Sequence, residues 1–188
     1  MPHTKLQSKD YKRFHYSDLS FFNEIDLSAD SWLIKNKFDI YIHEPDPKIN
    51  QKDIIYMRIA KLWAENSKCE RMKVGSIIVK EKSIISDGYN GTPSGFDDKC
   101  ETSDNTTLPH VLHSEANAIT KLARSTQSSE GSTIYVTLSP CLECSKLIIQ
   151  SGIKRVVFSE IYRNPEPLSF LAQAGIELLR INLEKYAK

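Results

Sequence analysis

His113 and Glu115, two residues apart, and Cys141 and Cys144, three apart, are the side chains in this sequence whose types and spacing could do chemistry. An imidazole and two thiolates make a donor set suited to zinc. Three protein ligands leave the fourth tetrahedral position to water, which marks a catalytic site rather than a structural one. A carboxylate beside that water but off the metal can take a proton and return it. Each half alone says less: a C-x-x-C pair also fits a redox dithiol or half of a structural zinc knot. Together they favour the catalytic reading, because no third cysteine sits close enough to resolve a dithiol and the motif lacks a fourth ligand.

Both halves stand at predicted helix starts. Pro140 suits the first position of a helix whose body is Cys141–Ser151 and whose stop is Gly152. That places both sulfurs in the first turn on one face, where the helix dipole favours thiolate. A second helix begins at or just after His113 and runs through Leu122 and Ala123. Regular helix geometry would put His113 and Glu115 on nearly opposite faces, so His113 must lie at the irregular entrance for both to reach one site.

The remaining pattern supplies the support. Asn50 or Asp53 caps a helix ending near Asn66. Strands at Val74–Lys80 and Ser83–Tyr89 flank a Glu81-Lys82 turn, and further strands follow at Thr133–Leu138, Lys154–Ser159 and Ile176–Ile181. Pro167–Ala174 reads as a helix stopped by Gly175, and Leu183–Lys188 as a short tail. Asn90–Gly95 is a loop of turn formers that serves either a ligand or a plain surface turn. The order predicts an α/β fold, a three-layer α/β/α sandwich on a central mixed five-stranded sheet: an antiparallel hairpin first, then largely parallel strands.

A length of 188 residues fits one domain, expected over 50–188, with an N-terminal extension over 1–49. Seven aromatics between Phe14 and Tyr41 make that extension too apolar for a disordered tail, so it is expected to pack on the domain or on a neighbouring subunit. His43-Glu44-Pro45-Asp46-Pro47 reads as a stiff linker with His43 at the surface. A net charge of +1 with mixed signs argues against a nucleic-acid binder. The sequence has neither a membrane-length apolar run nor a secretory leader, which points to a cytoplasmic location with all four cysteines reduced.

H-x-E followed by P-C-x-x-C is a general signature of zinc-dependent nucleobase deaminases. The chain from about Asp53 to Ile181 resembles the cytidine and deoxycytidylate deaminase superfamily, and more narrowly its deoxycytidylate (dCMP) branch. Four blocks carry the resemblance: Cys69–Gly75, Gly88–Gly95, His113–Ile119 and Tyr135–Cys144 with its continuation through Ile149–Lys154. The resemblance implies a cytidine deaminase-like fold. It also implies Zn2+ on His113, Cys141 and Cys144, with Glu115 as proton shuttle. The Ser114 backbone N–H, where most relatives have Ala, would meet the pyrimidine carbonyl, and Asn90 the ribose and ring. Arg71 would hold the 5′-phosphate, and Tyr162 would line or gate the pocket. The implied reaction is hydrolysis of dCMP to dUMP and ammonia, which supplies the thymidylate precursor.

The resemblance further implies a homo-hexamer activated by dCTP and inhibited by dTTP, with Mg2+ on the effector. Gly88, Tyr89, Asn90 and Gly91 would lie near the effector site. Some relatives hold a second, structural zinc at positions matching Cys69 and Cys100, where His110 is the candidate third ligand; the alternative is two reduced cysteines. Competing functions are deamination of a base within tRNA or another nucleic acid, and regulatory nucleotide binding on a deaminase scaffold.

Overall fold

A hairpin starts the sheet. The computed structural model describes residues 50–163 and 166–186, so the expectations for 1–49, including the 43–47 linker, lie outside the described residues. Strand β1 (Gly75–Lys80) pairs antiparallel with β2 (Ser83–Tyr89). Glu81 and Lys82 between them both take positive φ, 50° and 68°, the twist that a two-residue hairpin turn requires. Strand β3 (Thr133–Leu138) lies antiparallel to β1, and β4 (Arg155–Glu160) and β5 (Glu177–Arg180) continue parallel, giving the order β2-β1-β3-β4-β5. The mixed five-stranded sheet agrees with the sequence expectation.

Register sorts the core into two faces. Ile77, Tyr135, Val157 and Leu179 are cross-strand neighbours and form one apolar row; Ile78, Ile134, Val156 and Leu178 form the row on the opposite face. The first row packs with Met57 and Ala60 of helix α1 (Gln51–Ala64) and with Leu183 of a closing 3-10 turn at Leu183–Tyr186. The second row is covered by α2 (Ser114–Leu122), α3 (Leu142–Gln150) and α4 (Glu166–Gln173). Asn50 starts α1 by accepting the Lys52 N–H at 3.0 Å.

Two glycines let the helices come close at the end of the sheet that carries the site. A Cβ on Gly75 would stand 2.1 Å from the Ala60 carbonyl of α1, and one on Gly88 2.1 Å from the Ser114 carbonyl of α2. Neither position has room for a side chain.

Asp53 is no cap. It is buried in the first turn of α1, accepts the Tyr135 hydroxyl at 2.6 Å and takes Arg155 bidentately at 2.8 and 3.1 Å, while Arg155 also reaches Glu177 at 2.8 Å. Burial alone would push the Asp53 carboxyl up. The Arg155 and Tyr135 hydrogen bonds and the Arg155 charge outweigh it and hold the carboxyl below the usual carboxylate range. Asp53→Ala should therefore destabilise the fold by about 1–3 kcal/mol, because it leaves the Tyr135 hydroxyl without its acceptor and the half-buried Arg155 with Glu177 alone. Because the folded-state affinity for a proton is depressed, the wild-type contribution is present above the unfolded carboxyl's pKa and lost as pH falls through the folded one. Denaturant melts of both proteins at neutral and acid pH measure this, and the gap should narrow in acid.

Candidate active site

Two helix starts meet where the parallel strands end. Strand β3 leads through Ser139 and Pro140 into Cys141, and Ser139 ties this loop to the one after β4. Its N–H donates to the Glu160 carbonyl at 2.8 Å, and its hydroxyl accepts the Tyr162 N–H at 2.8 Å. Cys141 has extended geometry (φ −75°, ψ 171°) as the N-cap of α3, so it lies one residue outside the helix rather than in its first turn. Pro140, expected as the first helical residue, thus lies outside the helix, which begins at Leu142. His113 holds the matching place before α2, with φ −74° and ψ 156°. That extended entrance is what brings His113 and Glu115 to one site despite their spacing.

His113 Nδ1 lies 3.4 Å from Cys141 Sγ and 3.5 Å from Cys144 Sγ, and the three donor atoms are all within 4.8 Å of one another. A tetrahedral zinc with ordinary Zn–S and Zn–N bonds sets its nitrogen and sulfur ligands about 3.5 Å apart. The cluster therefore fits zinc in donor chemistry and in spacing. Its electrostatics agree. Cys141 is drawn down to about 4, first by the Cys144 thiol's hydrogen bond and then by His113 against the cost of burial. Cys144 is pushed up by its bond to Cys141 and by burial. The Cys141 sulfur raises the proton affinity of His113. The cluster thus favours thiolate at Cys141, the form of sulfur that a divalent cation binds.

Glu115 follows one residue into α2 and is 4% exposed. Burial raises its proton affinity above the usual carboxylate range, partly offset by its own backbone N–H, the His113 charge and the Ser114 hydroxyl. His113, Glu115 and Cys141 line a pocket together with Ser114, Arg71, Asn90 and Tyr162, so every expected catalytic and substrate-binding position except the buried Cys144 opens onto one cavity.

The structure qualifies several of these residues. Asn90 is already engaged: its Oδ1 accepts the Val74 N–H and its Nδ2 donates to the Met72 carbonyl, both at 2.8 Å. It therefore builds the Met72–Val74 wall and keeps one N–H and one lone pair for a ligand. Among the described residues Arg71 forms no ion pair, and its backbone N–H donates to Glu101 at 3.3 Å. Gly88, Tyr89 and Gly91 are wired to the start of α2. Asn117 Nδ2 donates to the Tyr89 carbonyl at 2.9 Å, and Gly91 exchanges backbone hydrogen bonds with Leu112. Three residues escaped the sequence reading. Asn117 was visible only as part of a motif. Glu101 lies in an irregular stretch yet lines the pocket. Arg163 sets its guanidinium 5.0 Å from the Tyr162 ring centroid, and its charge opposes a proton on His113.

Comparison with known proteins agrees with this geometry. The family described as the cytidine and deoxycytidylate deaminase zinc-binding region matches residues 50–160. The chain belongs to that family. Deoxycytidylate deaminase of Enterobacteria phage T4 is 35% identical over 175 residues, covering 69% of this chain and 91% of the phage protein. Deoxycytidylate deaminase of Mus musculus is 42% identical over 120 residues, covering 59% of this chain and 66% of the mouse protein. Among solved structures, dCMP deaminase from the cyanophage S-TIM5 in complex with dCMP and dUMP superposes with a TM-score of 0.67 at 44% identity, covering 74% of this chain and 100% of that one.

In this family member the second cysteine pair departs from the reduced state expected of it. Cys69 and Cys100, both buried, form a disulfide with a Cα–Cα distance of 5.1 Å. Glu101, not His110, completes their cluster, while His110 stacks on Phe96 at 5.5 Å. The set Cys69, Cys100 and His110 is thus not assembled as a metal site. Two loops 31 residues apart in sequence meet beside Arg71, a contact that cysteine spacing alone does not disclose.

Proposed function

We propose that this chain is a zinc-dependent deaminase that hydrolyses dCMP to dUMP and ammonia. The observation that carries the reading is the buried Glu115 beside the His113–Cys141–Cys144 triangle in a pocket walled by Asn90 and Arg71. The relatives named for dCMP, and the neighbour that binds dCMP and dUMP, support the substrate.

His113, Cys141 and Cys144 would hold the zinc, which would supply a water acidified toward neutrality. Glu115 accepts a proton from the attacking water, delivers it to N3 of the cytosine, and carries the next one to the departing amine. Its raised proton affinity suits a carboxylate that must both take and give a proton. The Ser114 backbone N–H meets the pyrimidine carbonyl, and the spare N–H and lone pair of Asn90 address ring and ribose. Arg71, free of carboxylate partners among the described residues, offers a planar guanidinium to the 5′-phosphate. Tyr162, held through Ser139, covers the base.

The same reading takes the chain as a cytoplasmic hexamer of 50–188 domains with extensions at 1–49, activated by dCTP and inhibited by dTTP with Mg2+. The wiring of Gly88–Gly91 to the start of α2 supports a route from that loop to His113. Purified protein offered dCMP, cytidine, dCTP and tRNA, each with and without dTTP and Mg2+, tests the whole. Only dCMP should be consumed rapidly, and dTTP should slow it. Preference for tRNA or cytidine would replace the reading.

A further inference from the structure

We infer that the side-chain hydroxyl of Ser114 is a positioning group for Glu115, pinning carboxylate oxygen Oε2 so that the other oxygen handles the proton. The inference rests on the deaminase reading above and adds a residue to it. Ser114 Oγ donates to Glu115 Oε2 at 3.1 Å, and Ser114 is fully buried. A carboxylate can only accept, so the hydroxyl is the donor.

The donor itself is held fast. Ser114 opens α2, and its carbonyl lies against Gly88, where even a Cβ would come within 2.1 Å. Asn117, one turn on, bonds back to the His113 carbonyl at 2.9 Å and holds the Tyr89 carbonyl with its side chain. The hydroxyl is thus presented from a fixed point on the β2–α2 contact. Neighbouring side chains on a regular helix do not face one another. This pair meets because serine is short and the contact lies in the first turn.

The two oxygens of Glu115 are therefore not equivalent. Ser114 donates a side-chain hydrogen bond to Oε2, beside the bond that the carboxylate takes from its own backbone N–H. Glu115 also lines the pocket. With Oε2 tethered, the carboxylate cannot rotate and exchange its oxygens between proton uptake and delivery. Pre-set orientation of this kind acts on the chemical step more than on substrate binding.

The test compares wild type, Ser114→Ala and Ser114→Cys, all zinc-loaded. Cysteine fills the space of serine but is a weak donor. Ser114→Ala should keep one zinc and its melting temperature, hold KM for dCMP within about twofold, and lose about tenfold in kcat, the scale of one hydrogen bond to a charged group. Ser114→Cys should show the same loss, because volume is not what matters. Crystal structures should show one Glu115 carboxylate orientation in wild type and a rotated or split one in Ser114→Ala. An unchanged kcat in Ser114→Ala, or full recovery in Ser114→Cys, overturns the inference while the deaminase reading stands. A wild type inert toward dCMP removes the substrate assignment, and the pair of crystal structures then still decides whether Ser114 orients Glu115.

Discussion

Glu115→Gln should bind zinc as wild type does and lose about 10²–10⁴-fold in kcat on dCMP, the usual contribution of general acid–base catalysis. Glutamine keeps the shape of the side chain and can still take the Ser114 hydroxyl on its carbonyl oxygen. It cannot carry a proton between the water, N3 and the amine. Glu101 also lines the pocket, but its carboxylate is spent on the Glu70 and Arg71 backbone N–H groups at 3.3 Å each. Metal analysis beside steady-state kinetics measures both halves of the claim. Near-normal turnover would remove Glu115 from the mechanism, and loss of zinc would recast it as a ligand.

Removing one thiolate should be at least as damaging. Cys144→Ala deletes a donor that is 2% exposed and lies 3.5 Å from His113 Nδ1, leaving two ligands where a stable tetrahedral site needs three and a water. Bound zinc should fall well below one per chain and turnover by more than about 10³-fold, since the water loses the activation that lowers its pKa by several units. A chelator should bring wild type to the same point, and zinc, not magnesium, should restore it. Retained zinc and activity in Cys144→Ala would exclude the triangle as the metal site. Because Cys144 is also part of the core face of α3, a thermal melt has to accompany the assay.

The sheet was legible in sequence because its strands are runs of β-branched and aromatic residues closed by recognisable turns. Glu81-Lys82 placed the hairpin, and Ser83–Tyr89 and Thr133–Leu138 came out residue for residue. The metal triangle was legible because helix starts constrain where short motifs can point. Its detail was legible in part: His113 is expected at the irregular entrance to its helix and lies there, whereas Cys141, expected in the first turn, also occupies an extended cap position. Long-range pairs left no local trace. Asp53 reads as a cap in one dimension and as the partner of Arg155, 102 residues away, in three. Cys69 and Cys100 sit in irregular loops whose meeting depends on the whole domain. Asn90 looked like a ligand contact and is first a brace for Met72 and Val74, a role that only a hydrogen-bond count discloses.

The central claim is hydrolytic deamination of a free pyrimidine nucleotide by the His113–Cys141–Cys144 site with Glu115. Its most direct measurement is turnover of dCMP by the zinc-loaded chain in water enriched in oxygen-18, followed by mass spectrometry of the nucleotide and an ammonia assay. The expected result is dUMP carrying one heavy oxygen on the base, with one ammonia released per dUMP. A chain that holds one zinc yet leaves dCMP intact, or that forms dUMP without heavy oxygen, would contradict it.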